Sequence, residues 1–334
     1  MPNLHLGLAL DGAGWHPAAW REPDARPNDL LTARYWSDLT AEAERGLLDF
    51  VTIHDTLDAP PLRKDLVRGR LDAVLIAARI APLTRHIGLI PVAVATHTEP
   101  FHLSKAIATL DYVSTGRAGV QITVSTESGH FGRRDLSAST EQELAAEAAD
   151  YVEVLRRLWD SWEDDAEIRD AATGRFVDRE KLHYIDFTGR WFSVKGPSIT
   201  PRPPQGQPLI AATFQVGADL VFGGQFAELA VFLDDTEPAA RDRRDRLNEI
   251  TPPPGDIEVF AGTAQQLADH LVDRGAPGFR LHPAVLPHDL TAVTRDLVPE
   301  LQRRGVFRRE YEATTLRGLL GLSHPANRYA LGSR

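Results

Sequence analysis

The 334-residue sequence contains no cysteine. That removes disulfides, thiol nucleophiles, Cys-zinc sites and Cys-ligated iron–sulfur clusters. There is no basic excess either: 47 acidic side chains face 37 basic ones, a formal charge of −10. Nucleic acids and anionic membranes are recognised by clustered positive charge, so neither is an expected partner. Long apolar runs are missing as well. The longest, Ile87–Ala95, is far too short to cross a bilayer. The opening MPNLHLGLALDGAGWH has no basic start, long apolar run and small-residue cleavage site. The expectation is a cytoplasmic protein. No G-x-S-x-G, Walker-type loop or H-E-x-x-H occurs.

What is present is alternation. Short runs rich in Val, Ile and Leu lie at Leu4–Leu10, Asp49–His54, Ile87–Val94, Ala118–Val124, Pro208–Thr213, Leu229–Leu233, Ile257–Phe260 and Gly278–Leu281. Helical patterns separate them: Thr32–Leu48, Leu71–Ala81, Phe101–Val113, Thr140–Trp162, Val216–Phe226, Pro238–Ile250, Ala264–Arg274 and Thr291–Gly305. Eight strands alternating with eight helices predict a parallel sheet closed as a (β/α)₈ barrel, with an open doubly wound sheet as the alternative. The whole of 1–334 reads as one domain. It carries an insertion at 126–207 after the fourth strand, including a hairpin around Thr188-Gly189, and a tail at 306–334.

In such a barrel the chemistry sits where strands end. Strand one leads to Asp11, Trp15, His16 and Trp20; strand two to His54 and Asp55; strand three to Thr96 and His97. Strand four leads to Ser125, strand five to Thr213 and Gln215, strand six to Asp234 and Asp235, and strand eight to His282. Four histidines and Asp55 could converge on a metal, but the spacing contains no recognised ligand pattern, and no metal is expected.

In chain order these motifs resemble the luciferase-like flavin-dependent monooxygenases, nearest the nitrilotriacetate and dibenzothiophene-sulfone monooxygenase branch. The matching segments are GAGWHPAAWREP, AERGLLDFVTIHDTL, the stretch from GRLDAVLIAARIAP to RAGVQITVS, LRRLWDSWEDDA, FSVKGP, PQGQP, FAGTAQQLADHL and LVPELQRRGVFRREYEATTLRGLLGL. The resemblance spans most of Leu4 to Asn327. It implies a (β/α)₈ barrel and reduced flavin mononucleotide (FMN), delivered by a separate flavin reductase. It also implies O₂ as co-substrate, oxygenation of a small organic substrate, and a homodimer.

On matched positions it places His16 in a catalytic role. Asp55, Thr96, Gln121, Ser125 and Gln215 would bind the cofactor, and Trp20, His54 and His97 the substrate. The chain departs from the family pattern in several places. Of the family's run after strand four, Gln121-Ile122-Thr123-Val124-Ser125 keeps only the last Ser. His130 stands for an Asn, and Leu144-Ala145 stands for an Arg-Tyr pair. Two further changes touch the cofactor and substrate ends. Phe214-Gln215-Val216 replaces a small, phosphate-binding turn, and the chain is shortened between Leu233 and Phe260. Two alternatives therefore stay open: a deazaflavin (F420)-dependent oxidoreductase, and a barrel that binds a ligand or partner without redox turnover. The tail's apolar residues Val306, Phe307, Tyr311, Leu316, Leu319, Leu320 and Leu322 are expected to pack on the barrel or on a second subunit.

Overall fold

The computed structural model describes residues 4–57, 63, 65–126, 136–255 and 257–330, so His130 lies outside the described residues. Among the described residues, nine strands form one all-parallel sheet. Its first four are β1 (His5–Leu10), β2 (Phe50–Ile53), β3 (Gly88–Val94) and β4 (Gly119–Thr123). Two small hairpins follow, β5 (Glu167–Asp170) with β6 (Arg175–Val177) and β7 (Phe187–Thr188) with β8 (Ser193–Val194). The sheet resumes with β9 (Leu209–Ala212), β10 (Leu220–Val221), β11 (Phe226–Leu233), β12 (Val259–Gly262) and β13 (Gly278–Pro283). The helices are α1 (Ala33–Arg45), α2 (Ala73–Ile80), α3 (Pro100–Ser114), α4 (Glu141–Asp160), α5 (Glu237–Ile250), α6 (Ala264–Arg274), α7 (His288–Ala292), α8 (Val298–Arg303) and α9 (Leu316–Leu319). Among the described residues, no helix is long and apolar enough to cross a membrane.

The strand order is β10-β9-β4-β3-β2-β1-β13-β11-β12. A parallel bridge between Phe222 and Phe226 brings the β10 edge against the start of β11, so the sheet curls round on itself. The α/β reading with a parallel sheet holds. The regular eightfold alternation does not hold in two places. No helix spans 216–226. Instead β9 turns directly into β10, with Gly217 at φ +73 and Gly223 at φ +76, a conformation that only glycine adopts freely. The Asp219 carboxylate accepts the Ile210 amide at 2.9 Å and pins the turn. Secondly, β13 pairs with β11 rather than with β12, which sits at the sheet edge against Ala230–Leu233.

The final barrel helix also differs from a single regular run. α7 and α8 are joined by a π-helical stretch, Val293–Leu297. Pro299 lies in the first turn of α8; it has no N–H to give to the turn before it, which favours such an irregularity.

Period-two burial gives the sheet two apolar faces. Leu6, Leu8 and Leu10 join the layer between sheet and helices. Phe50, Ile90, Leu209, Ala211, Leu220, Phe222 and Phe226 meet in a second cluster inside the curl. Leu316 of the tail belongs to that inner cluster and is fully buried. Its amide donates to the Gly116 carbonyl at 3.0 Å. The rest of the tail is laced to its own chain. Arg308 pairs with Asp49, the Tyr311 hydroxyl donates to the Leu48 carbonyl at 2.9 Å, and Asn327 donates to the Trp162 carbonyl at 2.8 Å. Phe307 and Leu319 are buried as well. The apolar set that suggested a second subunit is thus largely covered within the chain.

Candidate active site

A cavity of about 370 Å³ opens at the carboxyl ends of β1 and β2. Its walls include the indoles of Trp15, Trp20 and Trp36, with Leu66, Leu71 and Pro254. Asp11, His16, His54 and Arg70 supply its polar groups. Two of the indoles are anchored through their N–H groups, leaving ring surface for the cavity. Trp36 donates to the Leu30 carbonyl at 3.0 Å and Trp20 to the Asp65 carbonyl at 3.2 Å. Such an apolar chamber with a few convergent polar groups is the usual form of a small-molecule site.

His16 is buried in the loop that leaves β1. Its Nδ1 accepts the Ala18 amide at 3.1 Å, and its Nε2 lies 3.1 Å from Oδ1 of Asn248 on α5. Burial lowers its pKa, while the Asn248 contact and the charge of Glu22 act in the opposite direction. His54, at the end of β2, is exposed at the cavity mouth. Of the residues singled out from sequence, His16, Trp20 and His54 therefore come together.

Asp11 and Trp15, named at the end of strand one, line it as well, but the other residues given a cofactor or substrate role from sequence do not. Both carboxylate oxygens of Asp55 are taken by backbone amides, Thr56 at 2.8 Å and Ala73 at 2.9 Å, so the side chain fastens the β2 loop to the start of α2. Burial raises its pKa. Thr96 and Ser125 bind each other: the Thr96 hydroxyl donates to the Ser125 carbonyl at 2.9 Å, and the Ser125 amide donates back at 3.1 Å. This clasp joins the ends of β3 and β4. His97 is buried beside it in the chain. Gln215 is exposed in the turn after β9.

Gln121 points into the curled sheet, where its Oε1 accepts from Arg280 at 2.7 Å. Arg280 and His282 of β13 both bond Glu228 of β11, Arg280 through Nε at 2.9 Å and His282 through Nε2 at 3.0 Å. Burial pushes the Glu228 carboxyl up. The His282 bond and the Arg280 charge outweigh it and bring the pKa down to about 2. Burial also lowers the pKa of His282. Among the described residues, no group of three or more His, Asp or Glu side chains is placed to hold a metal ion.

The model of the luciferase-like monooxygenase family matches residues 14–269. The chain belongs to that family. It is 29% identical to the N-acetyl-S-(2-succino)cysteine monooxygenase of Bacillus subtilis (strain 168), over 437 aligned positions covering 98% of each chain. It is 28% identical to nitrilotriacetate monooxygenase component A of Aminobacter aminovorans over 447 positions, again 98% of each. Both alignments are much longer than 334 residues, so these relatives carry internal segments that this chain lacks. The EDTA monooxygenase from Chelativorans sp. BNC1 shares the fold, with a TM-score of 0.84 over 96% of this chain and 99% of that one at 20% identity.

A luciferase-like monooxygenase that takes a flavin needs a slot for a flat ring and a grip on its phosphate tail. The indole-walled cavity fits the ring, with Asp11 and His54 available to its polar edge. The turn after β9 offers the exposed Thr213 and Gln215. Arg156, which reaches that turn, is spent on Gln207 Oε1 at 2.8 Å, the Gly217 carbonyl at 3.0 Å and Asp219 Oδ2 at 3.1 Å. The ring end fits better than the tail end.

Several residues escaped the sequence reading. Glu228 falls between the helix expected at Val216–Phe226 and the strand expected from Leu229, and His282 is named at the end of strand eight without its partners Glu228 and Arg280. The alternation Phe279-Arg280-Leu281-His282, apolar and polar in turn, was the available signal. Asn248 lies 232 residues from His16 and has no local signal at all.

Proposed function

We propose that this chain is the oxygenase of a two-component system, taking reduced FMN from a separate flavin reductase and using O₂ to oxygenate a small organic substrate. Its scaffold is read as a (β/α)₈-type barrel with an insertion at 126–207 and a tail at 306–334. The observation that carries the reading is the indole-walled cavity at the carboxyl ends of β1 and β2, where this class of fold places its chemistry. When bound, reduced FMN together with O₂ supplies the oxygen-transfer chemistry.

The chain's own residues bind, orient and exclude water. Trp15, Trp20 and Trp36 give apolar faces against which a flat ring packs. His16, whose pKa burial lowers, presents an imidazole in the cavity wall. Among the described residues, Arg70 is the one Lys or Arg side chain in the lining, and it stands exposed at the rim. That position suits a substrate carrying a carboxylate or another anionic group. Such a substrate would accord with the names of the nitrilotriacetate and succinocysteine relatives. A cytoplasmic homodimer is part of the same proposal and rests on the family resemblance, with an interface elsewhere than the tail core.

The test is isotopic. The protein is mixed with reduced FMN, a generic flavin reductase and ¹⁸O₂ over a panel of small organic acids. One ¹⁸O atom should appear in a product, and Arg70→Ala should raise the KM for acids more than for neutral analogues. Hydride transfer to deazaflavin without oxygen incorporation would favour the deazaflavin reading instead.

A further inference from the structure

We propose that Asn248 is a positioning residue: its carboxamide oxygen, reaching across from α5, holds His16 in the cavity wall as a neutral imidazole with its hydrogen on Nε2. The inference rests on reading that cavity as the reaction site.

The tautomer follows from the partners. The Ala18 amide can only donate, and it points at His16 Nδ1 at 3.1 Å. A ring nitrogen that accepts carries no hydrogen, so in the neutral ring the hydrogen sits on Nε2. Nε2 then needs an acceptor, and Asn248 Oδ1 stands 3.1 Å away. Protonating Nδ1 would break the Ala18 bond, so this cradle favours the neutral ring. Two aromatic neighbours fix its plane: Phe232 at 6.1 Å and 66°, and Trp15 at 6.3 Å and 70°.

α5 is itself held in place in the turns just before Asn248. Arg246 grips the Glu22 carboxylate with two bonds, of 2.5 and 3.1 Å, and so ties α5 to the segment just after the His16 loop. Arg243 bonds Asp289, Asp234 and the Leu233 carbonyl, and lies over the outer side of Phe232 at 5.6 Å. Of the charges near His16, Glu22 is paired with Arg246 and Arg243 lies over the neighbouring Phe232 ring, while Asp11, His54 and Arg70 line the same cavity. Among the described residues, the uncharged Asn248 is the one side chain that hydrogen-bonds the imidazole. Asparagine rather than aspartate at this place keeps the ring neutral, because a carboxylate against Nε2–H would stabilise the imidazolium.

The experiment is ¹⁵N NMR of the full-length chain labelled at histidine, with His16→Gln used to assign the His16 resonances. At neutral pH the wild type should show Nε2 protonated and Nδ1 unprotonated. Asn248→Asp keeps the size and the acceptor oxygen but adds charge, and should raise the His16 titration midpoint by about one pH unit or more. Asn248→Ala leaves Nε2–H without its acceptor and should shift the Nε2 resonance, so the inference is still tested if the Asp variant does not fold. A wild-type ring protonated on Nδ1, or variants whose His16 resonances and midpoint match the wild type, would overturn the proposal. The underlying site reading fails separately: a His16→Gln protein that binds reduced FMN and reacts with O₂ like the wild type would remove it without altering the NMR result.

Discussion

Arg280 lies over the ring of Phe222 inside the curled sheet, its guanidinium carbon 3.8 Å from the ring centroid. Its charge is answered there by Glu228, which also takes the His282 bond. Removing one member of a buried ion pair leaves the other uncompensated, so Glu228→Gln should destabilise the protein by about 3–5 kcal/mol in urea unfolding. Replacing Glu228 and Arg280 together by apolar residues of similar size should cost much less.

The same carboxylate sets an acid limit. Burial opposes its ionisation, but the His282 bond and the Arg280 charge prevail and hold it down at about 2, against 4.5 for a free glutamate. A lowered folded-state value means the stabilisation is complete above pH 4.5 and is lost as pH falls from there toward 2. Melting temperatures measured from pH 6 to pH 3 should fall more steeply for the wild type than for Glu228→Gln. Parallel curves would show that Glu228 is not the group involved.

Leu316 fills the space that Gly88 leaves open: a Cβ at residue 88 would stand 2.4 Å from its Cδ1. Leu316→Ala should cost about 2–5 kcal/mol as a buried cavity. Gly88→Ala should also destabilise, and the double variant should cost less than the sum of the two because they share one space. Because Leu316 is buried within its own chain, neither change should alter the sedimentation coefficient of the folded protein.

Much of the helical layer was legible from sequence because its ends are marked. The predicted Ala264–Arg274 matches α6, framed by a Thr263–Gln266 capping box and Gly275 in the left-handed region. α3, α4 and α5 fall within two residues of their expected limits. The segment 216–226 imitates a helix because Val216 and Leu220 stand four residues apart, one helical turn. Gly217, Gly223 and Gly224 were the contrary sign, and they prevailed because the chain there turns twice within a few residues. The site was only half legible. His16, Trp20 and His54 sit beside one another because β1 and β2 are adjacent, which strand-end reasoning captures. The direction of a side chain at a strand end is decided by neighbours distant in sequence. That is why Asp55 turned to the start of α2, and why Gln121 turned inward to Arg280.

For Asp55 the geometry predicts a stability role. Asp55→Ala removes two bonds to backbone amides and should cost about 1–3 kcal/mol. Its affinity for reduced FMN, measured anaerobically at a temperature where the variant is folded, should stay within about twofold of the wild type, a few tenths of a kcal/mol. A selective loss of affinity would restore the cofactor role that the sequence suggested.

At the tail end of the flavin, Arg156 is already committed to Asp219, Gln207 and the Gly217 carbonyl. Reduced riboflavin and reduced FMN should therefore bind with affinities within about tenfold, or 1.4 kcal/mol, of each other. A larger preference for FMN, measured by equilibrium dialysis under anaerobic conditions, would show that phosphate donors are supplied from elsewhere in the chain.

The cavity at the ends of β1 and β2 is proposed to receive the flavin ring. Leu71 lines that cavity and is half-buried, so Leu71→Trp should fill it without disturbing the sheet. The direct measurement is anaerobic titration of wild type and Leu71→Trp with reduced FMN, followed by quenching of tryptophan fluorescence and confirmed by calorimetry. Saturable binding to the wild type and at least about tenfold weaker binding to a folded Leu71→Trp protein are expected. Equal affinity in the two proteins, or no saturable binding to the wild type, would contradict the proposed placement of the ring.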